Sequence, residues 1–251
     1  MTTAGRPLSP AFYAGPATGR RRWADWWVLL HPPYTLWHLS YVAIGATIAP
    51  RFDAGRLAAT LLAFFLAVGV CAHALDELHG RPLRTTIPSW ALTTAAAVSL
   101  TGAVALGIAG IGRVGVGLVV FIVIGAALTC GYNLELLGGR LHNDTTFAAA
   151  WGAFPVLTAY YAQAETLGLP AAAAALGAYS LSNAQRNLST PARTLRRRVT
   201  SVDGTVTFTD GRQAEITAAW LLAPLEAALK AMAWAVVGLA VALVVYRMSE
   251  G

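Results

Sequence analysis

Charge is scarce in this 251-residue chain: 12% of its residues are Asp, Glu, Lys or Arg, against about 25% in a typical soluble domain. That shortage argues against a water-soluble globular protein. Cysteine is scarce too. Cys71 and Cys130 both lie inside apolar runs, which excludes a disulfide framework and reads them as small hydrophobes rather than a redox pair. A signal peptide is lacking: residues 1–19 are rich in Gly, Pro, Ala and Thr with no apolar core, a composition that predicts disorder. No internal repeat is visible.

What the chain has instead is apolar length. Hydrophobic residues make up 56% and the mean hydropathy is +0.56. A spanning helix needs about 20 mostly apolar residues, and seven segments qualify as candidates: about 34–50, 57–78, 90–111, 114–136, 147–164, 169–182 and 218–246. Pro224 is expected to kink the last one or to end a short lead-in helix. Gly and Ala crowd the third and sixth segments, as close helix packing in lipid requires. The expected fold is therefore all-α, a polytopic transmembrane bundle of about seven helices over residues 31–251. Residues 1–30 form a basic N-terminus in which Arg20, Arg21 and Arg22 precede Trp23, Trp26 and Trp27, a pairing suited to a membrane interface. Between Arg198 and Thr217 two Asp-Gly dipeptides separate β-rich stretches, which predicts a hairpin insertion of two or three strands.

The formal net charge of +6 invites a nucleic-acid reading, but the arginines sit in short loops between apolar runs. With the N-terminus inside, 13 arginines (6, 20, 21, 22, 81, 84, 140, 186, 193, 196, 197, 198 and 212) fall on the inner side and 4 (51, 56, 113 and 247) on the outer. That bias predicts an integral protein of a plasma (inner) membrane with its N-terminus cytoplasmic and its C-terminus outside. The string Arg196–Arg198 reads as a lipid-surface anchor, and Glu226 with Lys230, at i and i+4, as an ion pair within the last helix.

This topology gathers three polar helix ends on one side. The first carries His73, Asp76, Glu77 and His79, the first three at i, i+3 and i+4 on one helical face, followed by Arg81 and Arg84. The second carries Tyr132, Asn133 and Glu135, then Arg140, His142 and Asp144. The third carries Asn183, Gln185, Arg186 and Asn187. Ionisable residues at the edge of a membrane are costly and mark candidate sites. Carboxylates such as Asp76 suit Mg²⁺ shared with substrate phosphates. Imidazoles beside carboxylates suit Zn²⁺ or Fe instead, with His73, Asp76, Glu77, His79, Glu135, His142 and Asp144 as candidate ligands. Paired guanidinium groups can bind a phosphate bidentately. His31 and His38 read as packing or interface residues.

The stretch AHALDELHGRPLRTTIP resembles the first Asp-rich motif of the UbiA superfamily of intramembrane prenyltransferases: Asp76 falls on the central Asp, and Arg81-Pro82 and Ile87-Pro88 match the trailing elements. The opening HPPYTLWHLSYVAIGATIAP is similar to that family's first helix, and Tyr132 with Arg140 matches loosely; the resemblance spans about residues 30–190. It implies prenyl transfer or cyclisation of an isoprenoid diphosphate, Mg²⁺ as cofactor, His73, Asp76, Glu77 and Tyr132 as catalytic, and Arg81, Arg84, Asn133, Arg140, Asn183, Arg186 and Asn187 as substrate-binding. The departures are marked. Ala72, His73 and Gly80 stand where the motif has Asn, Asp and Asp, and amides with Arg186 replace the second Asp-rich motif. Two other readings stay open: a His/carboxylate transition-metal enzyme acting on a lipid-linked substrate, and a noncatalytic lipid-binding or transport protein. Each takes a lipid-like small molecule and none takes nucleic acid; the oligomeric state is not legible.

Overall fold

A computed structural model describes residues 22–250. The expectations of a disordered start and of a basic surface at Arg20 and Arg21 fall outside these residues. The described chain is mostly helical. The helices are α1 (Arg22–Leu29), α2 (Pro32–Thr47), α3 (Ala54–Leu78), α4 (Ser89–Val114), α5 (Leu118–Asn133), α6 (residues 144–164), α7 (Leu169–Arg197) and α8 (Ala218–Ser249). Two are continuous but not uniform. α3 passes through a π-helical stretch at Phe65–Ala72, and α6 through another at Ala148–Ala153.

Three helices, α3, α4 and α8, are long and apolar enough to cross a membrane, and α5 is a shorter apolar helix. The other helices do not meet that standard, and α2, with 16 residues, is too short for it. α2 is wrapped by protein on most sides, packing chiefly on α6 and α8. Its Trp37, Tyr41, Val42 and Ala46 are buried, as are the polar His38, Ser40 and Thr47. A helix shielded by its neighbours is free to carry polar groups that lipid would penalise. Gly45 allows the closest approach: a Cβ there would fall on the carbonyl oxygen of Val156 in α6.

Two helix ends differ from expectation. The sixth apolar segment does not stop near Ser182; α7 continues to Arg197 through Pro191. Its lower half is polar but amphipathic, burying Ala178, Ser182, Gln185, Ser189 and Ala192 at alternating spacings of four and three, one stripe of an α-helix. Pro224 neither ends nor divides the last helix, since α8 runs unbroken from Ala218. A proline in an early turn removes one hydrogen bond and leaves the rest of the ladder intact.

Between α7 and α8 lies the expected hairpin, with two strands: β1 (Thr205–Thr207) and β2 (Gln213–Glu215), antiparallel, Val206 opposite Ala214. Only the second Asp-Gly makes its turn, where Gly211 takes φ 82° and Phe208 N–H bonds to the Arg212 carbonyl. The first, Asp203-Gly204, precedes β1, and the Gly204 carbonyl accepts from Ile216 N–H. Arg212 beside Asp210 holds that exposed carboxyl below the ordinary carboxylate range. Glu226 is engaged by Arg196 of α7, at 2.5 and 2.8 Å, rather than by Lys230 one turn on. Arg196 therefore ties α7 to α8 instead of serving only as a surface anchor.

Candidate functional site

The C-terminal ends of α3, α5 and α7 meet the N-terminal ends of α2 and α6. His31 and His73 bring α2 to α3, with ring centroids 5.4 Å apart. Tyr132 of α5 is buried, stacks on His142 at 4.5 Å and meets the edge of Trp151 at 5.9 Å. Arg186 Nε donates to Asp144 Oδ1 at 2.7 Å, and its guanidinium lies 5.1 Å from the Phe147 ring centre. All three polar ends predicted from the sequence thus come together.

Within this assembly the residues divide into those with structural partners and those without. Glu77 is completely buried and turned toward the following loop. Its Oε2 accepts from Leu83 N–H at 2.9 Å, and its Oε1 from the Thr85 amide and hydroxyl at 2.8 Å each. Arg81 folds onto the same loop, donating to the Ile87 carbonyl and to Ser89 Oγ. Asp25 of α1 accepts from the Thr86 amide and hydroxyl. These bonds hold Arg81 and Arg84 at φ 51° and 52°, a left-handed backbone that non-glycine residues adopt only when their surroundings fix it. Glu77 and Arg81, expected as ligands, are here part of the scaffold of the 79–88 loop. Arg84 and Arg140 are exposed. Asn133 is buried and donates back to the Thr129 carbonyl of its own helix.

The Asp76 carboxylate, by contrast, makes no hydrogen bond or ion pair among the described residues. It stands half-buried within electrostatic range of His73, His142 and Arg193. The histidines are also constrained. Nδ1 of His38 contacts the Trp151 carbonyl (2.9 Å), Nδ1 of His73 the Gly69 carbonyl (3.0 Å) and Nδ1 of His142 the Tyr132 carbonyl (3.2 Å). A carbonyl oxygen can only accept, so each neutral ring carries its proton on Nδ1 and keeps a lone pair on Nε2. Gly69 and Trp151 belong to the two π-helical stretches, the kind of irregularity that recurs at functional sites.

On α7 helical geometry separates the predicted residues. Asn183 and Asn187, four apart, lie roughly opposite the buried stripe of Ser182, Gln185 and Ser189, and Asn187 is exposed. Arg186 lies at the edge of the stripe, and so does Arg193, seven residues on. Arg193 did not stand out in the sequence because the helix seemed to end before it; the alternating four-and-three spacing was the signal that could have placed it.

The donor set does not fit two metal ions in two carboxylate cages. Among the described residues no group of three or more His, Cys, Asp or Glu side chains is placed to hold a metal. Glu77 is engaged by the loop, Asp144 by Arg186, and α7 offers amides in place of carboxylates. Asp76 is the carboxylate left available. The nearest approach to a mixed cluster is Glu135, 3.6 Å from His79 Nε2 and 3.9 Å from His142 Nδ1.

Beside the polar cluster an apolar cavity of about 160 Å³ runs between α3, α4, α5 and α6. Ala67, Val68, Leu128, Thr129, Ala150 and Trp151 line it nearest the cluster, and Arg56 and Arg113 mark its far end. Trp151 is shared: it lines the cavity and packs on Tyr132. No family model, curated protein or solved structure matches this chain.

Proposed function

We propose that the chain is a UbiA-like intramembrane enzyme acting on an isoprenoid diphosphate, by prenyl transfer or cyclisation. In this reading seven segments cross the plasma (inner) membrane, the N-terminus is cytoplasmic, and the polar cluster lies on the cytoplasmic side. What supports it is the juxtaposition at Trp151. A polar cluster with an unengaged carboxylate adjoins an apolar cavity bounded by the same aromatic wall, the two-part environment an amphiphile needs. Asp76 would hold a Mg²⁺ that enters with the substrate's phosphates, and such an ion supplies charge neutralisation to a diphosphate leaving group. His73, Tyr132 and Arg186 line the same end.

A second reading, a transition-metal enzyme using Zn²⁺ or Fe on a lipid-linked substrate, draws on the grouping of His79, Glu135 and His142. The two separate in one experiment: metal analysis of the purified protein together with turnover of isoprenyl diphosphates, with and without Mg²⁺. Mg²⁺-dependent release of diphosphate that is lost in Asp76→Ala is the expected result. Tightly bound zinc or iron without such release would favour the second reading. Lipid binding with neither would leave a noncatalytic carrier, and full turnover in Asp76→Ala would overturn the assignment.

A further inference from the structure

The half-buried end of α7 holds more positive charge than its neighbours neutralise. Arg193 forms no ion pair among the described residues; its one hydrogen bond is a long contact, 3.4 Å, to Thr190 Oγ1. It lies within electrostatic range of Tyr34, Asp76 and Tyr132. Arg186 uses Nε for Asp144, and its guanidinium has no other hydrogen bond among the described residues, which leaves its Nη groups to donate elsewhere. Two guanidinium groups seven residues apart share a face of the helix. Against them stands a single unengaged carboxylate, Asp76.

We propose that α7 carries a metal-independent anion site, with Arg193 as its principal donor and Arg186 as its second, that grips the phosphate-type head of the lipid-like ligand. Planar guanidinium groups match phosphate oxygens bidentately, and Arg186 stands where the resemblance would have put a metal-bearing carboxylate motif. The inference rests on the isoprenoid diphosphate reading for the ligand's tail, but not on its reaction and not on Mg²⁺. It assigns head recognition to arginine and leaves any metal the later task of easing departure of the diphosphate.

The test is equilibrium binding of farnesyl diphosphate and of farnesol to the full chain in detergent, with EDTA or with Mg²⁺. The wild type is expected to prefer the diphosphate even in EDTA. Arg193→Gln should weaken diphosphate binding roughly tenfold to a hundredfold, as loss of a charge-assisted hydrogen bond does, and leave farnesol binding unchanged. Arg193→Lys should recover part of the loss, which also guards against a variant that misfolds. Asp76→Asn should leave metal-free diphosphate affinity equal or tighter, because it removes the one opposing charge. The inference fails if diphosphate affinity appears only with Mg²⁺, survives Arg193→Gln and is lost in Asp76→Asn; the isoprenoid reading then still stands. If the wild type shows no preference for the diphosphate over farnesol in either buffer, that reading falls as well.

Discussion

The two ends of the helical bundle both carry charge, yet they use it differently. At the Arg56 end most charged contacts close a helix terminus. Asp53 caps α3 by accepting from Arg56 N–H at 2.8 Å, and its backbone exchanges hydrogen bonds with Gln163. Arg56 donates to the Ala162 and Gln163 carbonyls, to the Arg113 carbonyl and to Glu165. Arg247 reaches the Ala49 carbonyl. Apart from Ala49, which lies just past the end of α2, these carbonyls belong to the last turns of α4 and α6, groups that have no partner within their own helices. At the His73 end one layer is built in the same way, with Glu77, Asp25 and Arg81 holding the 79–88 loop. A second layer is not: the Asp76 carboxylate forms no hydrogen bond among the described residues, and Arg193, within electrostatic range of it, bonds through its side chain only to Thr190 Oγ1. Charge that satisfies backbone is explained by the fold. Charge at the membrane edge that satisfies nothing is where a ligand is expected.

The largest effect expected from this contrast is at Glu77. Glu77→Ala should cost about 3 kcal/mol or more, since it leaves two buried amides and a hydroxyl without an acceptor. Thermal unfolding in detergent would show it as a large drop in Tm. A variant as stable as the wild type would mean that the loop is not held as described and that Glu77 is free to act as a ligand after all. Arg56→Ala should cost less, about 1–2 kcal/mol, because several of the carbonyls it serves can turn to water. It should leave diphosphate binding unchanged; a selective loss of binding there would break the division between the two ends.

The same contrast sharpens on α7. The double variant Asn183→Ala, Asn187→Ala should change stability by no more than about 0.5 kcal/mol and leave head-group binding intact, because both residues lie away from the buried stripe. A loss of affinity comparable to that of Arg193→Gln would place the ligand on the other face of the helix. Much of this is legible in the sequence: the apolar helices in its hydropathy, the hairpin in its Asp-Gly dipeptides and the gathering of three polar ends in its arginine placement. What hydropathy could not show was α2, buried by protein rather than by lipid, or the lower half of α7, where Ser182, Gln185 and Ser189 read as loop until their spacing is counted. Nor does sequence distance reveal which carboxylate is engaged. Asp76 and Glu77 are adjacent, but successive side chains on a helix diverge by about 100°, so one faces the loop and the other the cluster.

That adjacency makes Asp76→Asn the smallest expected change in stability and the most informative comparison. The Asp76 carboxylate has no hydrogen bond to lose among the described residues, and its attraction to His73, His142 and Arg193 is offset by the cost of keeping a half-buried charge from water. The Tm should therefore stay within the shift produced by about 0.5 kcal/mol, while isoprenyl diphosphate turnover falls by orders of magnitude. Neighbouring carboxylates would then have opposite signatures, Glu77 in stability and Asp76 in activity. A residue kept unbonded at no structural benefit is held for something outside the fold. If Asp76→Asn instead destabilised the protein as Glu77→Ala does, Asp76 would belong to the scaffold, and the cluster would be left with its arginines and histidines alone.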